Sequence, residues 1–147
     1  TAAGEREGAR LRELGDEFGA TTGRPRRCGW FDAMVVRYSA RVNGLGALAV
    51  TKLDVLDSFD ELPVCTHYTL AGDRIDELPD NVATLEEVEP VYERLPGWRR
   101  ATGAAGRLED LPKEARGYLD RLQELAGAPI RYVGVGTKRD QLIEVAP

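Results

Sequence analysis

The sequence predicts a mixed α/β (α+β) fold, in which short strands are combined with two or three helices in a single domain over residues 1–147. At 147 residues the chain is long enough to bury a hydrophobic core. Hydrophobic residues make up 42% of the chain and charged residues 31%, which is the balance of a globular protein. Apolar residues recur at helical spacing in some segments and form short continuous runs in others, so helices and strands alternate.

The first third of the chain contains two predicted helices separated by a loop. Residues 5–18 carry apolar residues at helical spacing, which predicts a weakly amphipathic helix. Residues 19–29 are rich in Gly and Thr and indicate a loop. The next helix is predicted from residue 31 to a stop signal at Asn43-Gly44. The apolar positions that define the two helices are Leu11, Leu14 and Phe18, and Phe31, Met34, Val35, Tyr38 and Val42.

Strands are predicted in the middle of the chain. Residues 47–50 form a short continuous apolar run, which is typical of a buried strand. Residues 63–70 predict a second strand, and the turn at 71–73 leads to a returning strand that begins at Ile75. Residues 76–87 are acidic and show no regular spacing, so no element is predicted there.

The last third of the chain contains the clearest helix. A strand is predicted at 90–95. Leu111-Pro112 then begins the helix, because a proline near the first turn loses no internal hydrogen bond. Gly127 suits the left-handed position that follows a helix, and strands are predicted at 130–135 and 142–145. The apolar stripe of this helix consists of Ala115, Leu119, Leu122 and Leu125.

Charge and composition exclude several classes of function. Residues 57–93 hold 11 acidic residues and one Arg, whereas a nucleic-acid binder needs a broad basic face. No window approaches the roughly 18 consecutive apolar residues of a membrane span, and the first residues lack the apolar core of a signal peptide. Cys28 and Cys65 are too few for a disulfide framework or a four-ligand zinc site. We therefore expect a reduced, cytoplasmic protein that binds neither nucleic acid nor membranes.

The first candidate site is the segment Phe18–Arg27, and we call its part Gly19–Arg27 the arginine loop. Its glycines permit backbone conformations closed to other residues, and its two threonines supply hydroxyl groups. Its three arginines present forked donors that match a carboxylate or a phosphate. The loop could close over a small dianion, or it could be a solvated basic loop that pairs with the acidic residues 57–93.

The second candidate is Thr51-Lys52-Leu53-Asp54, which follows an apolar strand. Guanine presents two adjacent N–H donors that one carboxylate can accept, and adenine lacks this pair. A lysine two residues earlier can lay its methylene stem over the base. Ligands of α/β sheets also favour the carboxyl ends of strands. The alternative is a lysine and an aspartate that follow a strand by chance.

The third candidate is the segment Val133–Asp140, which contains Gly134-Val135-Gly136 at the end of a predicted strand. Small residues there allow a flat ligand to approach the backbone, although a tight turn between two strands also requires glycine. No G-x-x-x-x-G-K-[ST] phosphate loop occurs in the sequence. If the chain binds a guanine nucleotide, groups outside this sequence must hold the triphosphate.

Taken together, these segments resemble the adenylosuccinate synthetase family. The similarity follows the same order along nearly the whole chain, but it covers only the C-terminal third of such enzymes. Their N-terminal part, with its phosphate loop and its catalytic Asp and His, has no counterpart here. The strings that carry the resemblance are Gly15–Asp32, Val42-Asn43-Gly44, Leu48–Asp57, Pro90–Glu93, Leu95–Trp98, Val133–Gly136 and Arg139-Asp140-Gln141.

The resemblance implies a GTP-dependent ligase that joins IMP and L-aspartate in purine (AMP) biosynthesis. GTP phosphorylates the purine 6-oxygen with help from Mg²⁺, and the aspartate amine then displaces the phosphate. The resemblance also implies that the complete enzyme is a cytoplasmic homodimer. Because the catalytic residues and the magnesium ligands of the family lie outside this chain, we expect the isolated chain to be inactive. The alternative is a stand-alone GTP- or IMP-binding module without catalytic activity.

The resemblance also assigns expected roles by position. The aspartate- and IMP-binding residues would be Ala20, Thr21, Thr22, Gly23, Arg24, Pro25 and Arg26. The GTP-binding residues would be Arg26, Lys52, Leu53, Asp54, Gly134, Val135 and Gly136. The chain departs from the family at Gly134, where Ser is usual, and at Thr137-Lys138, where Pro-Asp is usual. The loss of the serine hydroxyl removes one side-chain contact from the implied guanine site.

Overall fold

A computed structural model describes residues 3–145 and has the predicted mixed α/β architecture. Its helices are α1 Glu5–Leu14, α2 Ala33–Asn43, α3 Val82–Glu87 and α4 Lys113–Ala126. Its strands are β1 Phe31–Asp32, β2 Leu48–Val50, β3 Glu61–Leu70, β4 Asp73–Ile75, β5 Glu89–Pro96, β6 Ile130–Gly134 and β7 Leu142–Glu144. Short 3₁₀ helices lie at Leu53–Leu56 and Leu108–Asp110.

The larger sheet is built around β3. β5 pairs antiparallel with one side of β3 along most of its length. The other side of β3 pairs first in parallel with β1 and then antiparallel with β4. The turn between β3 and β4 places Ala71 and Gly72 at positive φ, so the turn forms where the sequence predicts it. The returning strand ends at Ile75 and does not begin there, because Asp73 already pairs with Leu70.

The smaller sheet has the strand order β2-β6-β7. β2 and β6 are parallel, with Val50 opposite Val133, and β7 returns antiparallel to β6. Parallel neighbours end at the same edge of a sheet. The segments that follow β2 and β6 therefore emerge side by side, although 79 residues separate the end of β2 from the start of β6.

The core lies between α4 and both sheets. The predicted stripe of α4 is buried, with Ala115, Leu119 and Leu122 at most 4% exposed. These side chains pack into one cluster with Leu62 of β3 and Val133 of β6. Each large apolar side chain buried in this way contributes about 1.5–3 kcal/mol. As predicted, the helix is followed by Gly127 in the left-handed conformation, with φ of 68°.

The sequence prediction was wrong for the end of α1 and for the start of α2. α1 ends at Leu14 and not at residue 18, because Asp16 has a φ of 49° that turns the chain out of the helix. α2 begins at Ala33 and not at residue 31, because Phe31 and Asp32 pair with β3. The Asp32 carboxylate then caps α2 by accepting from the backbone N–H of Met34 and Val35.

The apolar face of α2 is mostly exposed. Val35, Tyr38 and Val42 are 43%, 39% and 62% exposed, and only Ala33 and Met34 of this helix are buried. The predicted spacing is present, but no element among the described residues covers these side chains.

A fourth helix, α3, lies in the acidic segment that was predicted to be irregular, so the described residues contain four α-helices where two or three were predicted. It is a single short helix whose first turn is capped by Asn81, which accepts from the N–H of Thr84. None of its residues is buried. Within the described residues, no helix has the length and apolar composition needed to cross a membrane.

Candidate functional site

The site is organised by the edge at which β2 and β6 end. We call the two segments that emerge there, Thr51–Asp54 and Gly134–Gly136, the strand-end edge. A Cβ atom placed on Gly134 would lie 3.4 Å from the Cα atom of Thr51 and 3.7 Å from the backbone nitrogen of Lys52. The structure therefore brings the second and third candidates of the sequence into direct contact.

Lys52 and Leu53 fix the first of these segments. Lys52 adopts the left-handed conformation, with φ of 60° and ψ of 39°, and this turns the chain from β2 into the 3₁₀ helix. A left-handed lysine costs about 1–2 kcal/mol, and such strain concentrates at functional sites. Leu53 is 1% exposed and anchors the turn in the core.

Asp54 follows this anchor and carries an unpaired oxygen. One of its two carboxylate oxygens, Oδ1, is buried and has no hydrogen-bond partner among the described residues. Buried polar atoms are nearly always paired, because leaving one without a partner costs about 1–3 kcal/mol. An unpaired acceptor at a strand end is chemically suited to an N–H donor, but Oδ1 has almost no exposed surface, so the Asp54 side chain would have to turn outward to meet a ligand.

The second segment is held by Gln141. The side chain of Gln141 accepts from the N–H of Lys138 at 3.1 Å and donates to the carbonyl of Gly103 at 2.9 Å. A Cβ atom on Gly136 would lie 2.2 Å from its Oε1 atom, so a larger residue at this position would displace the end of the Gln141 side chain. Val135, between the glycines, is fully buried.

The arginine loop has the opposite character, since residues 20–27 are all exposed. The N–H of Gly19 donates to the carbonyl of Arg24, and the N–H of Gly23 donates to the carbonyl of Gly19. Gly23 has a φ of 64°, which explains the glycine. The hydroxyl of Thr22 accepts from the N–H of Arg24 at 3.3 Å.

Glu17 joins the arginine loop to the strand-end edge. Its Oε2 atom accepts from Arg26 at 2.9 Å, and its Oε1 atom accepts from the Lys52 ammonium at 2.5 Å. The same ammonium donates to the carbonyl of Gly15. The hydrogen bond from Lys52, aided by the one from Arg26, holds the pKa of Glu17 below its usual value of 4.5.

These contacts bear on the two interpretations of the arginine loop. No ion pair among the described residues joins the loop to the acidic segment 57–93, and the partner of Arg26 is Glu17. Arg24 and Arg27 make no side-chain hydrogen bond within residues 3–145 that would engage their guanidinium groups. Their donors are therefore available to an anion.

A cavity of about 500 Å³ opens between the arginine loop and the start of the strand-end edge. This volume is within the range of small-molecule sites. Its lining includes Glu17, Arg26, Cys28, Trp30, Thr51 and Lys52. Asp54 and Gly134–Gly136 do not line it, so the cavity borders the edge on the side of Lys52.

The structure thus places the predicted residues in two groups. Lys52, Leu53, Asp54, Gly134, Val135 and Gly136 meet at the strand ends, and Ala20, Thr21, Thr22, Gly23, Arg24, Pro25 and Arg26 lie on the exposed loop. Arg26 alone of the loop residues reaches the first group, through Glu17. Glu17 and Gln141 were not predicted as site residues. The only sequence signal for them is that they lie within the segments that carry the family resemblance.

The donor set does not fit a metal ion. Among residues 3–145, no three His, Cys, Asp or Glu side chains come close enough to hold one. Cys28 and Cys65 are both free thiols. We therefore derive no chemical step that passes through a metal held by the described residues.

Comparisons with known proteins point to one family. A family model described as "Adenylosuccinate synthetase" matches residues 1–143. The adenylosuccinate synthetase of Geobacter sulfurreducens is 55% identical over 140 residues, which are 95% of this chain and 32% of that protein. That of Acidothermus cellulolyticus is 54% identical over 140 residues, 95% of this chain and 33% of that protein.

The fold has a close counterpart among solved structures. The fully ligated adenylosuccinate synthetase from Plasmodium falciparum superposes with a TM-score of 0.94 at 33% identity, covering 99% of this chain and 35% of that one. The chain spans about a third of the length of the relatives it matches. With a family match over nearly all its residues and the same fold, the chain belongs to the adenylosuccinate synthetase family.

Proposed function

We propose that this chain supplies the aspartate, IMP and guanine contacts of a GTP-dependent ligase that forms adenylosuccinate from IMP and L-aspartate. In this proposal it is the C-terminal part of a complete enzyme, and the phosphate loop, the catalytic groups and the Mg²⁺ ligands lie outside it. The complete enzyme is a cytoplasmic homodimer. The isolated chain binds ligands but does not turn over.

The observation that carries the proposal is the unpaired acceptor of Asp54 at the meeting of two strand ends. Its Oδ1 atom is buried without a partner in the described chain. Guanine would bring two N–H donors to this carboxylate, whereas adenine would bring none of that kind. The second segment lies against Thr51 at Gly134, so both segments are close enough to contact the same base.

The arginine loop supports the second half of the proposal. Its exposed arginines and threonine hydroxyls can bind the two carboxylates of aspartate and, through Arg24, the adjoining IMP. Phosphorylation of the purine 6-oxygen converts a poor leaving group into a good one, which the aspartate amine then displaces. This chain would contribute by positioning the amine and by recognising the base of the phosphoryl donor.

Discrimination between GDP and ADP tests the proposal. Isothermal titration of the chain should show GDP binding and no comparable ADP binding. Asp54→Asn should weaken GDP binding about 10- to 100-fold, because it replaces a charged acceptor by an amide that can accept from only one of the two guanine donors. Asp120→Asn is the matched control, since Asp120 is exposed on α4 and should leave GDP affinity unchanged.

The outcomes separate the candidate functions. Equal affinity for GDP and ADP, or unchanged GDP affinity in Asp54→Asn, would refute the assignment of the guanine site. Adenylosuccinate formation by the purified chain with IMP, L-aspartate, GTP and Mg²⁺ would show that the catalytic groups are not all elsewhere. GDP binding that an N-terminal partner cannot convert into turnover would favour the stand-alone binding module.

A further inference from the structure

The side chain of Glu17 forms an ion pair with each of the two proposed ligand-binding segments. One carboxylate oxygen accepts from Arg26 of the arginine loop and the other accepts from Lys52 of the strand-end edge. The side chain of Glu17 is 24% exposed, whereas those of Lys52 and Arg26 are 42% and 59% exposed. The shared carboxylate is thus more buried than either cation that it holds.

The backbone of Glu17 is also fixed on both sides. Its N–H donates to the carbonyl of Arg12 at 2.9 Å, and its carbonyl accepts from the N–H of Arg26 at 3.0 Å. The guanidinium of Arg12 in turn donates to the carbonyl of Arg26 at 2.7 Å. The carboxylate therefore projects from a backbone segment that hydrogen bonds hold on both sides. A change in one of its two ion pairs must then alter the other.

We propose that Glu17 is a positioning residue that couples binding of the small dicarboxylate at the arginine loop to binding of the guanine base at the strand-end edge. The inference rests on the proposed function, because it takes the two segments as the binding sites of those two ligands. Glu17 itself touches neither ligand.

The coupling has a direction. A carboxylate ligand that engages Arg26 draws this guanidinium away from Glu17, which leaves the whole negative charge of Glu17 to Lys52. The ammonium of Lys52 is then held more firmly against Glu17 and the Gly15 carbonyl, and its methylene stem, two residues before Asp54 in the chain, is fixed in one position in which it can pack against a base. The dicarboxylate should therefore strengthen guanine binding, and by linkage the reverse holds by the same factor.

The test is the ratio of GDP affinities with and without saturating L-aspartate, measured by titration of the chain. In the wild-type chain we expect L-aspartate to tighten GDP binding about fivefold, which is near the lower end of coupling between sites. In Glu17→Gln the ratio should fall to about one, because the amide is a weak partner for two cations. A merely structural role would weaken GDP binding equally in both conditions and leave the ratio unchanged.

Glu13→Gln is the matched control. Glu13 lies on α1, and its side chain makes no ion pair within the described residues. Its replacement by Gln removes the same charge as Glu17→Gln. It should keep the wild-type ratio. A wild-type ratio of one, or a ratio that survives Glu17→Gln, would overturn the coupling while leaving the guanine site intact. Absence of GDP binding in the wild-type chain would instead overturn the proposed function and the coupling with it.

Discussion

The strand-end edge and the arginine loop differ in how firmly the rest of the protein holds them. The edge is built from the ends of two parallel strands, and Leu53, Val133 and Val135 anchor it in the core at no more than 1% exposure. The arginine loop is exposed from residue 20 to residue 27 and is shaped mainly by its own backbone hydrogen bonds.

This difference indicates what each region can recognise. A preformed edge can discriminate one flat base from another, because a misplaced donor leaves a buried acceptor unpaired. An exposed loop of arginines and threonines loses little affinity when its ligand changes slightly. Its affinity is highest for a ligand that orders the loop. Substitutions should therefore cost folding stability at the edge and mainly ligand affinity at the loop.

The largest effect is expected from the anchor of the edge. Leu53→Ala removes a side chain that is 1% exposed, so it should lower the free energy of unfolding by about 2–5 kcal/mol. Leu14→Ala is the control, because Leu14 is 49% exposed on α1 and should change stability far less. Chemical denaturation measures both. Equal effects would show that the edge is not anchored in the core.

Gly136→Ala should cost about 1–3 kcal/mol, because the new methyl group displaces the Gln141 side chain and both of its hydrogen bonds. The same substitution in a Gln141→Ala background should be nearly neutral, since the obstacle is gone. A double-mutant cycle measures this difference. Additive effects would mean that Gln141 does not hold the segment.

In the arginine loop, Gly23→Ala should destabilise by about 1–2 kcal/mol from backbone strain alone. Gly23 has a φ of 64°, and a Cβ atom there would meet nothing within 4 Å. Gly117→Ala is the contrasting control. Gly117 lies inside α4 with equally open space, and there alanine should stabilise by about 0.5–1 kcal/mol. Thermal unfolding of the two variants should therefore shift in opposite directions.

The contact between the two regions should depend on pH. The pKa of Glu17 is lowered in the folded chain by Lys52 and Arg26, so its stabilisation is fully present above the unfolded value of 4.5 and is lost as pH falls through the lower folded value. The stability difference between the wild type and Glu17→Gln should be about 0.2–1 kcal/mol at neutral pH. It should shrink below pH 4.5. A difference that grows in acid would contradict the ion pairs.

The smallest effect on stability is expected at Gly134. A Cβ atom there would make ordinary contacts at 3.4 Å and 3.7 Å with Thr51 and Lys52. Gly134→Ser should therefore change the free energy of unfolding by no more than about 0.5 kcal/mol. It should tighten GDP binding if the hydroxyl adds the contact that the family resemblance implies. A large loss of stability would show that the approach of the two segments requires glycine.

Local sequence signals predicted the elements whose ends are fixed by local chemistry. The left-handed Gly44 and Gly127 terminate α2 and α4 as expected. The start of α2 was wrong because Asp32 is fixed by distant partners: it pairs within the sheet and accepts a hydrogen bond from Tyr68 at 2.6 Å. No spacing rule along the chain reveals a partner 36 residues away.

The same limit applies to the site. The two segments of the strand-end edge could be predicted from the sequence, because each lies at the end of an apolar run that forms a strand. The first run was predicted to be a buried strand, and this was wrong: β2 is the outer strand of its sheet, with Ala49 exposed and Leu48 and Val50 only partly buried. Glu17 could not be predicted, because its role depends on Lys52, which lies 35 residues further along the chain. The unpaired Oδ1 atom of Asp54 could not be predicted either, because it results from tertiary packing and an aspartate after a strand is usually paired or solvated.

The central claim is that one carboxylate and two glycines at adjoining strand ends recognise guanine. Backbone amide chemical shifts of the ¹⁵N-labelled chain, recorded during titration with GDP, test it most directly. The largest changes should fall together on Lys52–Asp54 and Gly134–Gly136, and they should be absent with ADP. Changes confined to other surfaces, or the same changes with ADP, would contradict the claim.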